Sequence, residues 1–212
     1  MTGSRRLGVL GGTFDPIHIG HLDAADAARA ALALDVVRLV PVGDPPHRPT
    51  GAHAAPADRL AMARLAVAGR EGFEVSEMEI ARAGRSYTAD TLRALHAEGW
   101  GAAQIFFILG LDAFADIATW REFPAVLDGA HFVVISRPGA TTDGVLGRHP
   151  ALGERVILLE ARTRDVSSSD IRRRLARGEP VDALVPPAVD AYIRAHRLYG
   201  AASELHDRHE HE

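Results

Sequence analysis

The alternation of short apolar runs with helical periodicity constrains the fold of this chain more than any other feature. Five runs have the composition of buried strands: "RRLGVLGG" (5–12), "VVRLVPVG" (36–43), "AQIFFILG" (103–110), "AHFVVISRPG" (130–139) and "ERVILLEA" (154–161). Continuously apolar strands that alternate with helices are typical of a parallel sheet covered on both faces. The 212-residue sequence therefore predicts one doubly wound α/β domain over residues 1–200, followed by a frayed polar tail at 201–212.

Helical segments fill the intervals between these strands. The predicted helices are Ile19 to Leu34, 57–69, 87–99, a stretch that contains Trp120, 167–178 and 186–200, and "FEVSEMEIAR" (73–82) is predicted to be extended. In an open parallel sheet, ligands bind beyond the carboxyl ends of the strands. The turn after the first strand, "ILGLD" (108–112) and "ISRPG" (135–139) are therefore expected to meet at one edge.

Two residue types are absent, which excludes several kinds of chemistry. The chain has no cysteine, and all 24 of its Lys and Arg residues are arginine. Disulfides, thiolate nucleophiles, Schiff bases and the lysine-dependent P-loop are thereby excluded, so arginine, histidine and backbone amides must bind any phosphate. A net charge of −4 and the lack of an apolar run of about 18 residues favour neither nucleic acid nor a membrane as partner. We expect a cytoplasmic protein.

The stretch "GVLGGTFDPIHIGHL" (8–22) combines a glycine-rich strand end with two histidines. Gly11 and Gly12 allow a sharp turn, and the helix start that follows favours anions. His18 and His21 are three residues apart, so both can face one point, and Gly20 between them leaves room for a phosphate. The imidazoles would supply hydrogen-bond donors, and charge if protonated.

Three other interpretations of this stretch compete with phosphate binding. The histidines could simply cap the turn or pack, and a His-x-x-His pair could bind zinc, although no third ligand stands nearby. The spacing also differs from the GxGxxG dinucleotide fingerprint, which disfavours hydride transfer. Two histidines beside four glycines at a strand–helix junction favour function over packing.

Six segments, taken together, resemble one enzyme family. "GGTFDPIHIGH" closely resembles the signature of HxGH nucleotidylyltransferases, which have a Rossmann-like fold, and "SSSDIR" (167–172) resembles their second signature. Within that superfamily the chain is similar to bacterial nicotinate-nucleotide adenylyltransferases, through the following segments: "PPHRP" (45–49), "SYTADTL" (86–92), "ILGLDAFADIATW" (108–120) and "SRPG" (136–139). The resemblance implies transfer of AMP from ATP to nicotinate mononucleotide, which gives deamido-NAD and pyrophosphate.

The resemblance also implies which residues would bind ATP. His18 and His21 would contact its phosphates, and Arg172 would hold the β and γ phosphates, so these three are the candidate catalytic residues. An ordinary capped helix with a solvated basic face is the alternative interpretation of "SSSDIRRRL". Asp112 would accept the ribose hydroxyls, or would cap the next helix. The further ATP-binding candidates are Gly11, Gly12, Thr13, Phe14, Gly20, Gly110, Ser168 and Ser169.

A second group of residues would bind the acceptor. Trp120 offers a flat face to the pyridine ring, or is a core tryptophan. The backbone around Thr88 and Trp120, next to Tyr87, would bind the nicotinate carboxylate. His47, Arg48 and Arg137 are candidates for the acceptor phosphate. Arg59 could lie nearby, but a single arginine on a helix is usually a surface residue.

The expected cofactor is Mg²⁺ carried by ATP, with no protein ligand named. Two alternatives to the implied function stay open. One is another HxGH transferase such as pantetheine-phosphate adenylyltransferase, which is shorter and lacks "SYTADTL" and "ATW". The other is a non-catalytic nucleotide-binding regulator of the same fold, which the intact His18, His21 and Arg172 disfavour.

Overall fold

A computed structural model describes residues 5–45, 51–137 and 155–201. They contain a parallel sheet of six strands in the order β3-β2-β1-β4-β5-β6. This order, in which the chain winds outward from β1 in both directions, is that of the doubly wound α/β fold and confirms the predicted fold class. The strands are β1 (Leu7–Gly12), β2 (Val36–Pro41), β3 (Phe73–Val75), β4 (Ile105–Gly110), β5 (His131–Ser136) and β6 (Val156–Glu160).

Helices connect the strands and cover both faces of the sheet. Those described are α1 (Ile19–Leu32), α2 (Pro56–Val67), α3 (Thr88–Ala97), α4 (Leu111–Ala115), α5 (Ser168–Leu175) and α6 (Pro187–Ala195). Apolar residues of α1, α2, α5 and α6 pack into one buried cluster, and those of α3 and α4 into another. Leu10 of β1 belongs to the first cluster and Val9 to the second, because successive strand residues point to opposite faces.

Three segments differ from the prediction. The extended segment at 73–82 contributes only the short edge strand β3. The stretch around Trp120, predicted to be helical, is the short helix α4 followed by 3₁₀ turns at Ile117–Thr119 and Ala125–Gly129. The last predicted helix ends at Ala195, because Arg197 adopts a left-handed backbone conformation with φ of 51°.

The carboxyl ends of β1, β4 and β5 lie side by side, as expected. Gly12 ends β1, Gly110 ends β4 and Ser136 ends β5. Because β4 pairs with both β1 and β5, the carboxyl ends of these three strands form one edge of the sheet. The candidate site is built there. The last two residues of "ISRPG" (135–139) lie outside the described residues.

Candidate active site

Two adjacent cavities open at this edge of the sheet. The larger cavity has a volume of about 820 Å³ and the smaller one about 350 Å³, both within the usual range for small-molecule sites. Gly11, Leu109 and Ala113 line both, so the cavities share a wall at the ends of β1 and β4. The arrangement can hold two ligands side by side.

The two histidines of the glycine-rich turn line the larger cavity at the start of α1. The His18 backbone N–H donates to His21 Nδ1 (3.2 Å), and the His21 N–H donates to the His18 carbonyl (3.0 Å). The rings stack with centroids 3.7 Å apart. Since His21 Nδ1 accepts a hydrogen bond, its neutral ring carries the proton on Nε2 and presents a fixed donor.

Burial keeps both imidazoles neutral near neutral pH. It lowers the pKa of His18 to about 4, and it lowers that of His21 well below the ordinary value, with a further contribution from His18. The ring of Phe14, itself buried, meets His21 edge-on. The pair therefore offers hydrogen bonds rather than positive charge.

Gly20 keeps the space between the histidines free of side-chain atoms. A Cβ at this position would lie 3.2 Å from both the Arg164 carbonyl oxygen and His18 Nδ1. That Nδ1 atom is buried and has no hydrogen-bond partner in the part of the chain that the structure describes. A glycine next to an unpaired imidazole nitrogen fits close approach of a polar ligand.

The second signature is anchored to the same turn. Arg172 donates from Nη1 to the Asp15 carbonyl (2.7 Å) and from Nη2 to Ser169 Oγ (3.1 Å). The Ser168 hydroxyl donates to the Pro16 carbonyl (3.0 Å), and Ser167 caps α5, as the capped-helix interpretation predicts. None of these side chains is among the residues that line the larger cavity. These contacts hold the start of α5 against the segment between β1 and α1 (13–18), which is called the histidine turn below.

Asp15 fastens this turn to three other parts of the chain. Its carboxylate accepts hydrogen bonds from the N–H groups of His53 and Ala54 and from the Tyr199 hydroxyl, and Arg172 lies 3.8 Å from Oδ2. Burial alone would raise the pKa of Asp15, but the hydrogen bonds lower it below its ordinary value. The Asp15 carboxylate is therefore a firmly held anion within the histidine turn.

Other predicted nucleotide-binding residues also line the larger cavity. Gly110 is the N-cap of α4, so the alternative that Asp112 caps this helix is wrong. Asp112 is exposed in the first turn and lines the cavity together with Arg137. Arg137, a candidate for the acceptor phosphate, therefore lies on the side of the histidines, where it pairs with Asp165 (2.6 Å).

The smaller cavity brings together the predicted aromatic and helix-start residues. Trp120, Tyr87 and Thr88 line it, with Gly12 and Thr13 of the turn after β1. The Trp120 ring is partly buried and meets Phe107 and Phe132 edge-on, so it is both a core residue and a cavity wall. His47 and Arg48 lie outside the described residues.

One end of α3 opens onto this cavity. The helix begins at Thr88, and its N-cap residue Tyr87 makes no side-chain capping hydrogen bond. The first N–H groups of a helix, here those of Thr88 and Ala89, have no acceptor within the helix. The Trp120 N–H, in contrast, already donates to the Ile117 carbonyl (3.1 Å). That the backbone around Trp120 helps to bind the nicotinate carboxylate stays a prediction.

Sequence reasoning missed several residues of the smaller cavity. Glu79, Asp116 and Arg121 line it, and the Arg121 guanidinium lies over the Tyr87 ring at 4.8 Å. Glu79 and Arg121 stand in irregular segments, and Asp116 lies between α4 and the following 3₁₀ turn. No signal in the sequence alone distinguishes them from surface charges.

Arg59 is a fully buried residue rather than the expected surface arginine. Its guanidinium donates to the carbonyls of Thr13 (2.8 Å), Val42 (2.5 Å) and Gly43 (3.0 Å), and its Nε donates to that of Ala54 (3.3 Å). A single cation thus joins the turn after β1 to the end of β2 and to the start of α2. This contact fixes part of the wall of the smaller cavity.

We expect Arg59→Met to lower the free energy of unfolding by about 3 kcal/mol or more, because it leaves several buried carbonyls without a donor. The measurement is denaturant unfolding, in which the midpoint should fall while the m-value is unchanged. The matched control is Arg64→Met on the same helix, where an exposed ion pair with Glu77 should contribute less than about 1 kcal/mol. Equal losses in the two variants would contradict the role of Arg59.

The arrangement suits alignment of two ligands and stabilisation of negative charge. It offers neutral imidazole donors and open helix N–H groups. Among the described residues, no group of three or more His, Asp or Glu side chains is placed to hold a metal ion. No helix in the described ranges is long and apolar enough to cross a membrane.

Comparison with known proteins shows which family the chain resembles. The profile of the cytidylyltransferase-like family matches residues 9–174. A "Probable nicotinate-nucleotide adenylyltransferase" from Roseiflexus sp. (strain RS-1) is 51% identical over 199 residues, which cover 92% of this chain and 98% of the relative. One from Desulfatibacillum aliphaticivorans is 41% identical over 217 residues, with 92% and 99% covered.

The fold is also that of a solved enzyme. The Plasmodium falciparum nicotinic acid mononucleotide adenylyltransferase complexed with NaAD superposes with a TM-score of 0.77, at 18% identity, over 94% of this chain and 99% of that one. At this identity the likeness concerns the fold alone. The family assignment rests on the relatives that are 41% and 51% identical. The chain belongs to the nicotinate-nucleotide adenylyltransferase family of cytidylyltransferase-like proteins.

Proposed function

We propose that this protein transfers the AMP moiety of ATP to nicotinate mononucleotide, with release of pyrophosphate and formation of deamido-NAD. The observation that carries this proposal is the pair of adjacent cavities with a common wall at the glycine-rich turn. ATP occupies the larger cavity and the acceptor occupies the smaller one. The acceptor phosphate then meets the α-phosphorus of ATP where the cavities join, and the names of the relatives support this choice of substrates.

Catalysis in this site is alignment together with charge stabilisation. The acceptor phosphate is already an anion, so its attack on the α-phosphorus requires no general base. As the bond to pyrophosphate breaks, negative charge moves onto the departing pyrophosphate oxygen, while the α-phosphoryl oxygens share the charge of the group in transfer. His18 and His21 donate hydrogen bonds to these oxygens, and Gly20 permits their close approach.

Arg172, Ser168 and Ser169 hold the departing pyrophosphate at the start of α5. Support for this role comes from the hydrogen bonds that anchor α5 to the histidine turn. When pyrophosphate binds, these side chains exchange their present hydrogen bonds for hydrogen bonds to its phosphate oxygens. The backbone of Thr13 and Phe14 approaches the phosphates beside Gly11 and Gly12.

The acceptor base stacks on Trp120, and its carboxylate accepts hydrogen bonds from the N–H groups at the start of α3. The uncapped N-terminus of α3 and its place in the cavity wall support this arrangement. Asp112 binds the ribose hydroxyls of ATP. His47 and Arg48 remain candidates for the acceptor phosphate, and Arg137, which lines the larger cavity, would reach that phosphate where the two cavities join.

A divalent cation accompanies ATP in this reaction, and we propose Mg²⁺. The phosphates and water would coordinate this ion, and no protein ligand to it is proposed. When bound, the ion supplies charge neutralisation to the polyphosphate. The chain's own contribution is to orient the nucleotide with the histidines.

Measurement of pyrophosphate release with ATP and a panel of acceptors tests the proposed function. The panel contains nicotinate mononucleotide, nicotinamide mononucleotide and pantetheine 4′-phosphate. We expect the first to be used most efficiently. Preference for pantetheine 4′-phosphate would indicate a different HxGH transferase, and no release with any acceptor would indicate a binding protein.

We expect Trp120→Ala to raise the KM for the acceptor several-fold while the KM for ATP changes little. The reason is that the ring stacks on the pyridine and not on the adenine, and such stacking contributes about 1 kcal/mol. Steady-state kinetics with each substrate varied in turn measure the two constants. Equal increases in both KM values would indicate that Trp120 has a purely structural role.

A further inference from the structure

Glu79 is a buried carboxyl group in the wall of the smaller cavity. Only 6% of the residue is exposed, although it lies in the irregular segment between β3 and α3. Its Oε1 atom accepts a hydrogen bond from the Thr91 hydroxyl of α3. Its Oε2 atom is buried and has no partner within hydrogen-bonding geometry among the residues described. An unpaired buried oxygen is costly. Glu79 also lines the smaller cavity, so a rotation of its carboxyl group would let a ligand there supply the missing partner.

The electrostatic surroundings of Glu79 favour its neutral form. Burial raises the pKa of its carboxyl above the ordinary value, and Asp90 adds to this effect. The hydroxyls of Thr91 and Ser86 and the charge of Arg82 act in the opposite direction but do not outweigh burial.

Two further charged residues face the same cavity. Asp116 and Arg121 line it with Glu79, and they carry opposite charges. The start of α3 borders the same space, because Tyr87 and Thr88 line the cavity. A carboxylate ligand at the open amides of this helix start would therefore lie close to the Glu79 carboxyl.

We propose that Glu79 is a specificity-determining residue whose protonation state sets the preference between a nicotinate and a nicotinamide acceptor. This inference rests on the proposed function and on the placement of the pyridine ring against Trp120. Neutral Glu79 donates a hydrogen bond from its carboxyl to the carboxylate of the acid acceptor. Ionised Glu79 repels that carboxylate and accepts a hydrogen bond from the carboxamide NH₂ of the amide acceptor.

The ratio of kcat/KM for the acid acceptor to kcat/KM for the amide acceptor isolates this effect. Both acceptors carry the same phosphate and use the same histidines, so titration of those groups cancels in the ratio. As the pH rises through the raised pKa of Glu79, we expect the ratio to fall about tenfold or more. The nicotinate carboxylate stays ionised throughout.

Glu79→Gln provides the main variant. Glutamine is nearly isosteric and does not titrate, and its NH₂ group can donate to a carboxylate. The ratio for this variant should be independent of pH and close to the low-pH value of the parent. The matched control is Glu77→Gln, two residues away and exposed, whose ratio should follow that of the parent.

Thr91→Val supplies a second test if Glu79→Gln does not fold. Loss of the hydroxyl removes a hydrogen bond that favours ionised Glu79, so the fall in the ratio should move to higher pH. If Glu79 only supports α3 through its hydrogen bond with Thr91, the Thr91→Val substitution should alter activity with both acceptors equally. The pH dependence of the ratio should then stay unchanged.

The outcomes separate this inference from the proposed function. A parent that uses nicotinate mononucleotide with a ratio constant over pH, or a Glu79→Gln ratio that falls like the parent's, overturns the role of Glu79 and leaves the proposed function intact. An unshifted transition in Thr91→Val also contradicts that role. Absence of activity with either mononucleotide contradicts the proposed function itself.

Discussion

Replacement of His21 by alanine is expected to lower kcat by about 10²–10³-fold while the affinity for ATP changes little. The Nε2–H donor of His21 is oriented before substrate binds, because Nδ1 accepts the His18 backbone N–H. Such a donor contributes most where negative charge develops in the transition state, so its loss appears in kcat. Steady-state kinetics and calorimetric titration with a non-hydrolysable ATP analogue separate the two effects.

The matched control for His21 is a histidine outside the cavities. His196 follows α6, is exposed, and stacks on Tyr192. His196→Ala should leave kcat within about twofold of the parent, since surface substitutions have small effects. Activity of His21→Ala within about threefold of the parent would rule out its role in charge stabilisation.

The second large effect concerns the acceptor. We expect kcat/KM for nicotinate mononucleotide to exceed that for nicotinamide mononucleotide by roughly a hundredfold or more near neutral pH. The open N–H groups at the start of α3 can donate to both oxygens of a carboxylate. A carboxamide turns its NH₂ group toward one of these donors and leaves it unpaired, which costs about 1–3 kcal/mol, and a charge-assisted bond is lost as well.

Both mononucleotides are compared under one set of conditions, with pyrophosphate release as the readout. Thr13→Ser serves as the matched variant, because it keeps the hydroxyl in the cavity wall and should keep the preference. Comparable kcat/KM values for the two acceptors would contradict selection at α3 and would indicate a dual-specificity enzyme.

The sheet and the histidine turn could be predicted because the residues that specify each of them lie close together in the sequence. Apolar runs specify buried strands, and the glycines, His18 and His21 lie within one short stretch of chain. The rule that ligands bind at the carboxyl ends of parallel strands then brings Gly110 and Asp112 to the same edge. The structure places the following predicted residues around one cavity: Gly11, His18, Gly20, His21, Gly110 and Asp112.

Arg59 and Glu79 could not be predicted, because their roles depend on contacts between distant segments. Arg59 has an ordinary helical position, and only the meeting of the β1 and β2 turns with α2 supplies its carbonyl acceptors. Glu79 stands among exposed charges in sequence, and the packing of α3 makes it buried. Charge alone does not reveal whether a side chain faces solvent or a cavity.

The backbone around Trp120 could not be predicted for a different reason. Its composition suits a helix, but the chain forms a short helix and then 3₁₀ turns, which point the indole at Phe107 and the smaller cavity. Tertiary packing overrides weak helix propensity in such short segments. The family resemblance identified Trp120 as a ligand residue, and the backbone around it became clear only from the structure.

Direct transfer between the two cavities is tested most directly by the configuration at the transferred phosphorus. The experiment uses ATP with a single-isomer α-phosphorothioate and nicotinate mononucleotide as acceptor, and determines the configuration of the dinucleotide formed. In-line attack by the acceptor phosphate, with no covalent intermediate on the protein, predicts inversion. Retention of configuration would require an adenylylated side chain and would contradict the direct reaction between neighbouring ligands.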